Sequence, residues 1–225
     1  MKRKNRFTDL LRKYRHAWVF LYILAYMPWF LWLESHVTRN YHVIQIRLDE
    51  MIPFNEFFIV PYLLWFAFIV AAFLYFFFTD VPDFYKLAKF MFTGMTVFLV
   101  ISTVFPNGQD LRPMVFARDN IFVDLVRVLY RADTCTNVFP SLHVFNSLSV
   151  CIAVHESRAL KKYRGVRWGA YVLAGLIILA TMFLKQHSVL DVIGACLMAC
   201  VLYQFVYAAE RKREPRYVKQ KRALL

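Results

Sequence analysis

Residues 166–209 read VRWGAYVLAGLIILATMFLKQHSVLDVIGACLMACVLYQFVYAA. Two apolar blocks, 166–184 and 189–209, are parted by four residues, Lys185-Gln186-His187-Ser188. Each block has about the length a helix needs to cross a bilayer, roughly 20 residues. So short a turn makes the two helices antiparallel neighbours. His187 and Asp191 fall four apart, on one face of the second helix. At that spacing a carboxylate can hold an imidazole in one tautomer while the other ring nitrogen faces a substrate. Ionisable groups are costly at the edge of a bilayer core, so they are functional candidates by default.

The same block pattern extends through the chain. Of 225 residues, 60% are hydrophobic and 18% aromatic, more apolar surface than a soluble domain of this size carries. Further apolar blocks lie at 17–33, 54–78, 83–105 and 141–154, so the sequence predicts an all-α polytopic membrane bundle of six spans. A catalytic membrane domain at 17–209 is flanked by a basic arm, 1–16, and a basic tail, 210–225, and there is no repeat or low-complexity segment. The first block follows a basic stretch, as in a signal peptide. It is long, carries Trp and Tyr, and lacks a small-residue cleavage site, so it is expected to stay as an anchor.

The formal net charge of +13 raises nucleic acid as a partner, and the placement of the charges argues against it. With both termini in the cytoplasm, 21 of the 28 Lys and Arg residues fall on the inner side. Only Arg39, Arg47, Arg112, Arg118, Arg127, Arg131 and Lys185 fall outside. That is the positive-inside bias of a multi-pass protein of the cell membrane, with basic tails against anionic headgroups. Cys135, Cys151, Cys196 and Cys200 match no zinc spacing and form no disulfide framework. Cys196 and Cys200 read as small packing residues between helices.

On this topology the outer loops are 35–53, 106–140 and the turn 185–188. Within the long loop Asn120, Asp124, Arg127 and Arg131 recur at helical spacing, with Ile121, Phe122, Leu125, Val128 and Leu129 opposite. The pattern predicts a short amphipathic helix at headgroup level. Glu56 is expected at the interface, and His16, His36, His42 and His155 need no function.

Arg112, Ser141, His143, Lys185 and His187 all reach the outer ends of the spans. Phosphoryl transfer needs cations and donors around phosphate oxygens, a nucleophile in line, and a proton for the leaving oxygen. Arg112 can fork onto two oxygens. Pro140-Ser141-Leu142-His143 reads as a helix start whose free amides, with the Ser141 hydroxyl, suit an anion. Lys185 adds a point charge. His187, oriented by Asp191, is the candidate nucleophile, and His143 the candidate proton donor. No metal or other cofactor is required by this set.

The ordered residues resemble the type-2 phosphatidic acid phosphatase superfamily. That group includes membrane lipid phosphatases, vanadium haloperoxidases and relatives of inositol phosphorylceramide and sphingomyelin synthases. Its motifs are Lys-x6-Arg-Pro, Pro-Ser-Gly-His and Ser-Arg-x5-His-x3-Asp. Here they read Arg112-Pro113, Pro140-Ser141-Leu142-His143 and His187-x3-Asp191, with Phe105 at the lysine, Leu142 at the glycine and Ala180-Thr181 at the Ser-Arg. Pro-Ser-Leu-His with Lys-Gln-His is closest to the branch related to inositol phosphorylceramide synthases. The resemblance implies a nucleophile at His187, its partner at Asp191, an acid at His143, and phosphate binding by Arg112, Ser141 and the Leu142 amide. It implies an enzyme that hydrolyses a lipid phosphomonoester or diphosphate, such as a phospholipid or isoprenyl phosphate, at the extracytoplasmic face. Transfer of a phospho-headgroup to a lipid alcohol is the alternative within that chemistry. A lipid-binding or transport protein on the same fold is the alternative outside it.

Overall fold

The computed structural model describes residues 12–209. The basic tail and most of the basic arm lie outside them. A 3-10 stretch, Arg15–Leu21, leads into α1 (Tyr22–His36). A short helix, α2 (Arg47–Met51), precedes the long pair α3 (Ile59–Thr79) and α4 (Val81–Val104). Then come α5 (Ile121–Ala132), α6 (Leu142–Glu156), α7 (Arg164–Phe183) and α8 (Val189–Tyr203), the last continued by a π turn.

Local sequence explains the boundaries. The Asp80 side chain accepts from the Asp83 amide at 3.0 Å, and Pro82 sits in the first turn of α4, where its missing N–H costs nothing. The Asn120 side chain accepts from the amides of Phe122 and Val123 and opens α5. Ser188 opens α8 through a capping box with Asp191.

Five helical stretches are long and apolar enough to cross a membrane: Arg15–His36, Glu56–Thr79, Val81–Val104, Arg164–Phe183 and Val189–Ala208. They coincide with five of the six expected spans to within a few residues. The expected span at 141–154 is different. It forms α6, of 15 residues, and at 1.5 Å per residue it is about 22 Å long, short of the roughly 30 Å hydrocarbon core. This helix packs against α3, α4, α7 and α8 and is the centre of the bundle. Its polar Ser147 and Ser149 are buried, with each hydroxyl donating to the carbonyl four residues back. Gly94 of α4 makes the close approach possible: a Cβ there would lie 2.1 Å from the Phe145 ring. Large apolar side chains on the outer helices, such as Leu24, Phe66, Leu176 and Leu197, are exposed, as lipid-facing residues are.

Three loops close one end of the bundle. Strand β1 (His42–Val43) pairs in parallel with β2 (Asn107–Gly108), His42 opposite Asn107, and Gly108 bridges to Thr136. A Cβ on Gly108 would meet the Tyr41 ring at 2.7 Å. The expected amphipathic helix is α5, and its apolar residues divide into two strips. Phe122, Val123, Val126 and Leu129 pack on the bundle, whereas Ile121, Leu125 and Val128 are exposed. Glu56 is fully buried rather than interfacial. It accepts from Asn120 at 3.0 Å and pairs with Arg118 at 3.1 Å, joining the start of α3 to the start of α5.

Candidate active site

The hairpin between α7 and α8 sets the first imidazole. Lys185 adopts φ 53°, a left-handed conformation that turns the chain back. The amides of Gln186 and His187 then both donate to the carbonyl of Thr181, at 2.9 and 3.1 Å. One Asp191 carboxylate oxygen accepts the Ser188 amide at 2.9 Å and lies 3.3 Å from His187 Nδ1. The bond that starts the helix therefore also fixes the ring. With Nδ1–H directed at Asp191, Nε2 carries the lone pair. That nitrogen lies 3.4 Å from Nδ1 of His143, with the ring centroids 5.6 Å apart.

His143 is in the first turn of α6. The Ser141 hydroxyl accepts from the Val144 amide at 3.4 Å, and the Ser141 amide donates to the Asp191 carbonyl at 3.2 Å. The second bond ties the start of α6 to the first turn of α8. Asn107 fixes the approach to this turn, its side-chain oxygen accepting from the amides of Val138 and Phe139. The His143 ring lies against Tyr62 and Trp65, at 4.6 and 4.3 Å between centroids. Leu142 packs toward Tyr26, Leu33 and Phe98, so its side chain belongs to the contact with α1 and α4.

The two expected cations are at this end of the bundle, but their donors are largely committed. Arg112 donates through Nη1 to the carbonyls of Tyr130 and Asp133, and through Nη2 to the carbonyl of Thr134 and to Gln186 Oε1. Its guanidinium also lies 4.6 Å from the Tyr130 ring centre. A bidentate Nη fork onto a phosphate would break those bonds. Lys185 donates to the carbonyls of Asp49 and Ile52. Burial pushes its ammonium below the usual lysine range, against the pull of Asp49 and Glu50.

Several residues of this region carried no signal in the sequence. Asp49 is buried and accepts from the Ser188 hydroxyl at 2.7 Å and from the amides of Val189 and Ile46 at 2.8 Å. It thus caps α8 from the short helix α2, some 140 residues away, with favourable sign at a helix N-terminus. Asp133 accepts from the Tyr62 hydroxyl at 3.2 Å. Burial raises its carboxyl above the usual range, opposed by the nearby His187 and Arg112 and by the Tyr62 bond. Glu34 holds Thr134 and Asn137, at 2.6 and 2.8 Å. Among the described residues no three His, Cys, Asp or Glu side chains converge to hold a metal ion.

The result is a pair of imidazoles in contact, one backed by a carboxylate and one walled by aromatic rings, at one end of a bundle of apolar helices. A family model described as the PAP2 superfamily matches residues 109–215, a stretch that contains Arg112, Ser141, His143, Lys185, His187 and Asp191. Members of that superfamily are generally phosphoesterases or phosphotransferases. Together the match and the apolar helices fit a membrane phosphatase or phosphotransferase. No curated protein and no solved structure matches the chain.

Proposed function

We propose that this chain is an integral-membrane lipid phosphatase that works through a phosphohistidine on His187. The reading rests on one observation: the His143 and His187 rings meet nitrogen to nitrogen, and Asp191 backs only the second. His187 Nε2 attacks phosphorus and the ester P–O bond breaks. The departing alkoxide takes a proton from His143 Nδ1. Water then attacks the phosphohistidine and gives its proton to His143. The P–N bond breaks, and its electron pair returns to Nε2. Nucleophile, acid and base are all side chains, so the route asks for no metal. Attack begins with nitrogen and phosphorus about 3–3.5 Å apart. The resting gap between the rings is already that small, so a bound phosphoryl group must part them.

With α6 counted as a short central span, the bundle has six. The positive-inside bias supports cytoplasmic termini and a histidine pair at the extracytoplasmic face. A substrate held there is a lipid phosphomonoester or diphosphate in the outer leaflet.

Transfer of a phospho-headgroup to a lipid alcohol is the second reading, and the committed cations favour it. Arg112 and Lys185 have most of their donors on backbone carbonyls. A phosphodiester carries one negative charge and needs less compensation than a dianionic monoester or a diphosphate. Purified protein incubated with phosphatidic acid, or with a labelled phosphodiester lipid plus ceramide or diacylglycerol, separates the two. Free phosphate supports hydrolysis, and a new headgroup lipid supports transfer. Turnover that survives both His187→Ala and His143→Ala contradicts both readings, and a wild-type protein that binds lipid without turning it over favours a non-enzymatic lipid-binding role.

A further inference from the structure

Gln186 and the Nε edge of Arg112 carry two buried donors that have no hydrogen-bond partner among the described residues. Gln186 is only 2% exposed. Its Oε1 accepts from Arg112 Nη2 at 2.6 Å, and its Nε2 is buried without a hydrogen bond. Arg112 Nε is likewise buried and unpaired. The four Nη contacts and the Tyr130 ring fix the guanidinium, so it cannot turn to satisfy that N–H elsewhere. The backbone amides of Gln186 and His187 share the Thr181 carbonyl and fix the main chain there, and the Arg112 bond sets which way the Gln186 side-chain amide faces. Nε2 shares the amide carbon with Oε1, and Nε shares the guanidinium carbon with Nη2, so both unpaired N–H groups belong to one hydrogen-bonded unit.

A buried donor left without an acceptor costs about 1–3 kcal/mol, so such groups call for an explanation, an unseen water or ion among them. Two on one hydrogen-bonded unit, one on a cation and one on the residue before the nucleophile, suit an anionic oxygen. We propose that Gln186 is a substrate-binding residue whose Nε2, with Arg112 Nε, holds a non-bridging phosphate oxygen of the group attacked by His187. The proposal rests on the phosphohistidine reading above. It replaces the Nη fork expected of Arg112 with the Nε edge, and it adds a neutral donor that needs no further positive charge.

The test uses the full chain in detergent, with orthovanadate as a phosphate mimic, and compares wild type with Gln186→Glu and Gln186→Met. Gln186→Glu keeps an oxygen for Arg112 Nη2 and removes the donor, so its melting temperature without anion stays near wild type. Vanadate affinity is expected to fall about 10- to 100-fold in Gln186→Met, the range for losing one hydrogen bond to a charged group, and further in Gln186→Glu. If Gln186→Met does not fold, Gln186→Glu carries the comparison. A folded Gln186→Glu that binds vanadate within twofold of wild type overturns the proposal and leaves the donor pair to a bound water. A wild-type protein that neither binds vanadate nor turns over lipid phosphate defeats the phosphohistidine reading instead.

Discussion

Replacing Asp49 by alanine should loosen the whole 185–191 turn although residue 49 is distant in sequence. Its carboxylate accepts three hydrogen bonds, from the Ser188 hydroxyl and from the Val189 and Ile46 amides, at 2.7 to 2.8 Å. Hydrogen bonds to a charged group contribute about 1.5–3 kcal/mol each, and the three share one carboxylate, so their losses do not add fully. A total of about 4 kcal/mol is expected. At ~2–4 °C per kcal/mol for a chain of this size, the melting temperature should fall by about 10 °C. Part of the loss is specific. With Asp49 gone, the Lys185 ammonium keeps its carbonyl acceptors but loses one of its two acidic neighbours. Melting followed by intrinsic fluorescence in detergent reads the effect, with Glu50→Ala as the control, since Glu50 is exposed and has no part in the cap. An Asp49→Ala protein that melts within 2 °C of wild type would refute the inference that α2 caps α8 through this carboxylate.

Two further outcomes follow from packing and from charge. Gly94→Ala puts a Cβ 2.1 Å from the Phe145 ring, which is fully buried and stacked on Phe90, so overpacking of about 1–3 kcal/mol should lower the melting temperature. Gly169→Ala, with nothing within 4 Å of its Cβ, should be neutral or slightly stabilising in the same melt. The raised carboxyl of Asp133 binds its proton more tightly in the folded state. Its stabilising contribution is complete below the unfolded value of about 3.9 and is lost as pH rises through the folded one. Asp133→Asn should therefore flatten the fall in stability between acid and neutral pH, and an unchanged profile would contradict the burial of that group.

The helices were legible because apolar block length is a one-dimensional signal, and five stretches have the expected length. The 141–154 block gave the position of a helix but not its central place in the bundle. A helix buried on all sides and a membrane span look alike in composition, and only length separates them. At the site, the His187–Asp191 spacing predicted a contact that forms, but His187 precedes α8 and the capping turn at Ser188, not a shared helix face, brings the two together. The roles given to Arg112 and Lys185 assumed free cations, but carbonyls at the ends of α5 and α2 and just beyond them occupy most of their donors. Asp49, Asn107 and Gln186 were silent for a related reason. Each acts on a segment whose proximity the tertiary fold alone creates, so no periodicity marks them.

The covalent intermediate is the most direct test of the mechanism. Purified protein is mixed briefly with a lipid substrate labelled at phosphorus, denatured in base, and digested for mass spectrometry. The mechanism predicts an acid-labile, base-stable phosphoryl adduct on the peptide carrying His187, absent from His187→Ala. Lipid turnover by His187→Ala, or turnover by wild type with the label on a different residue, would contradict it.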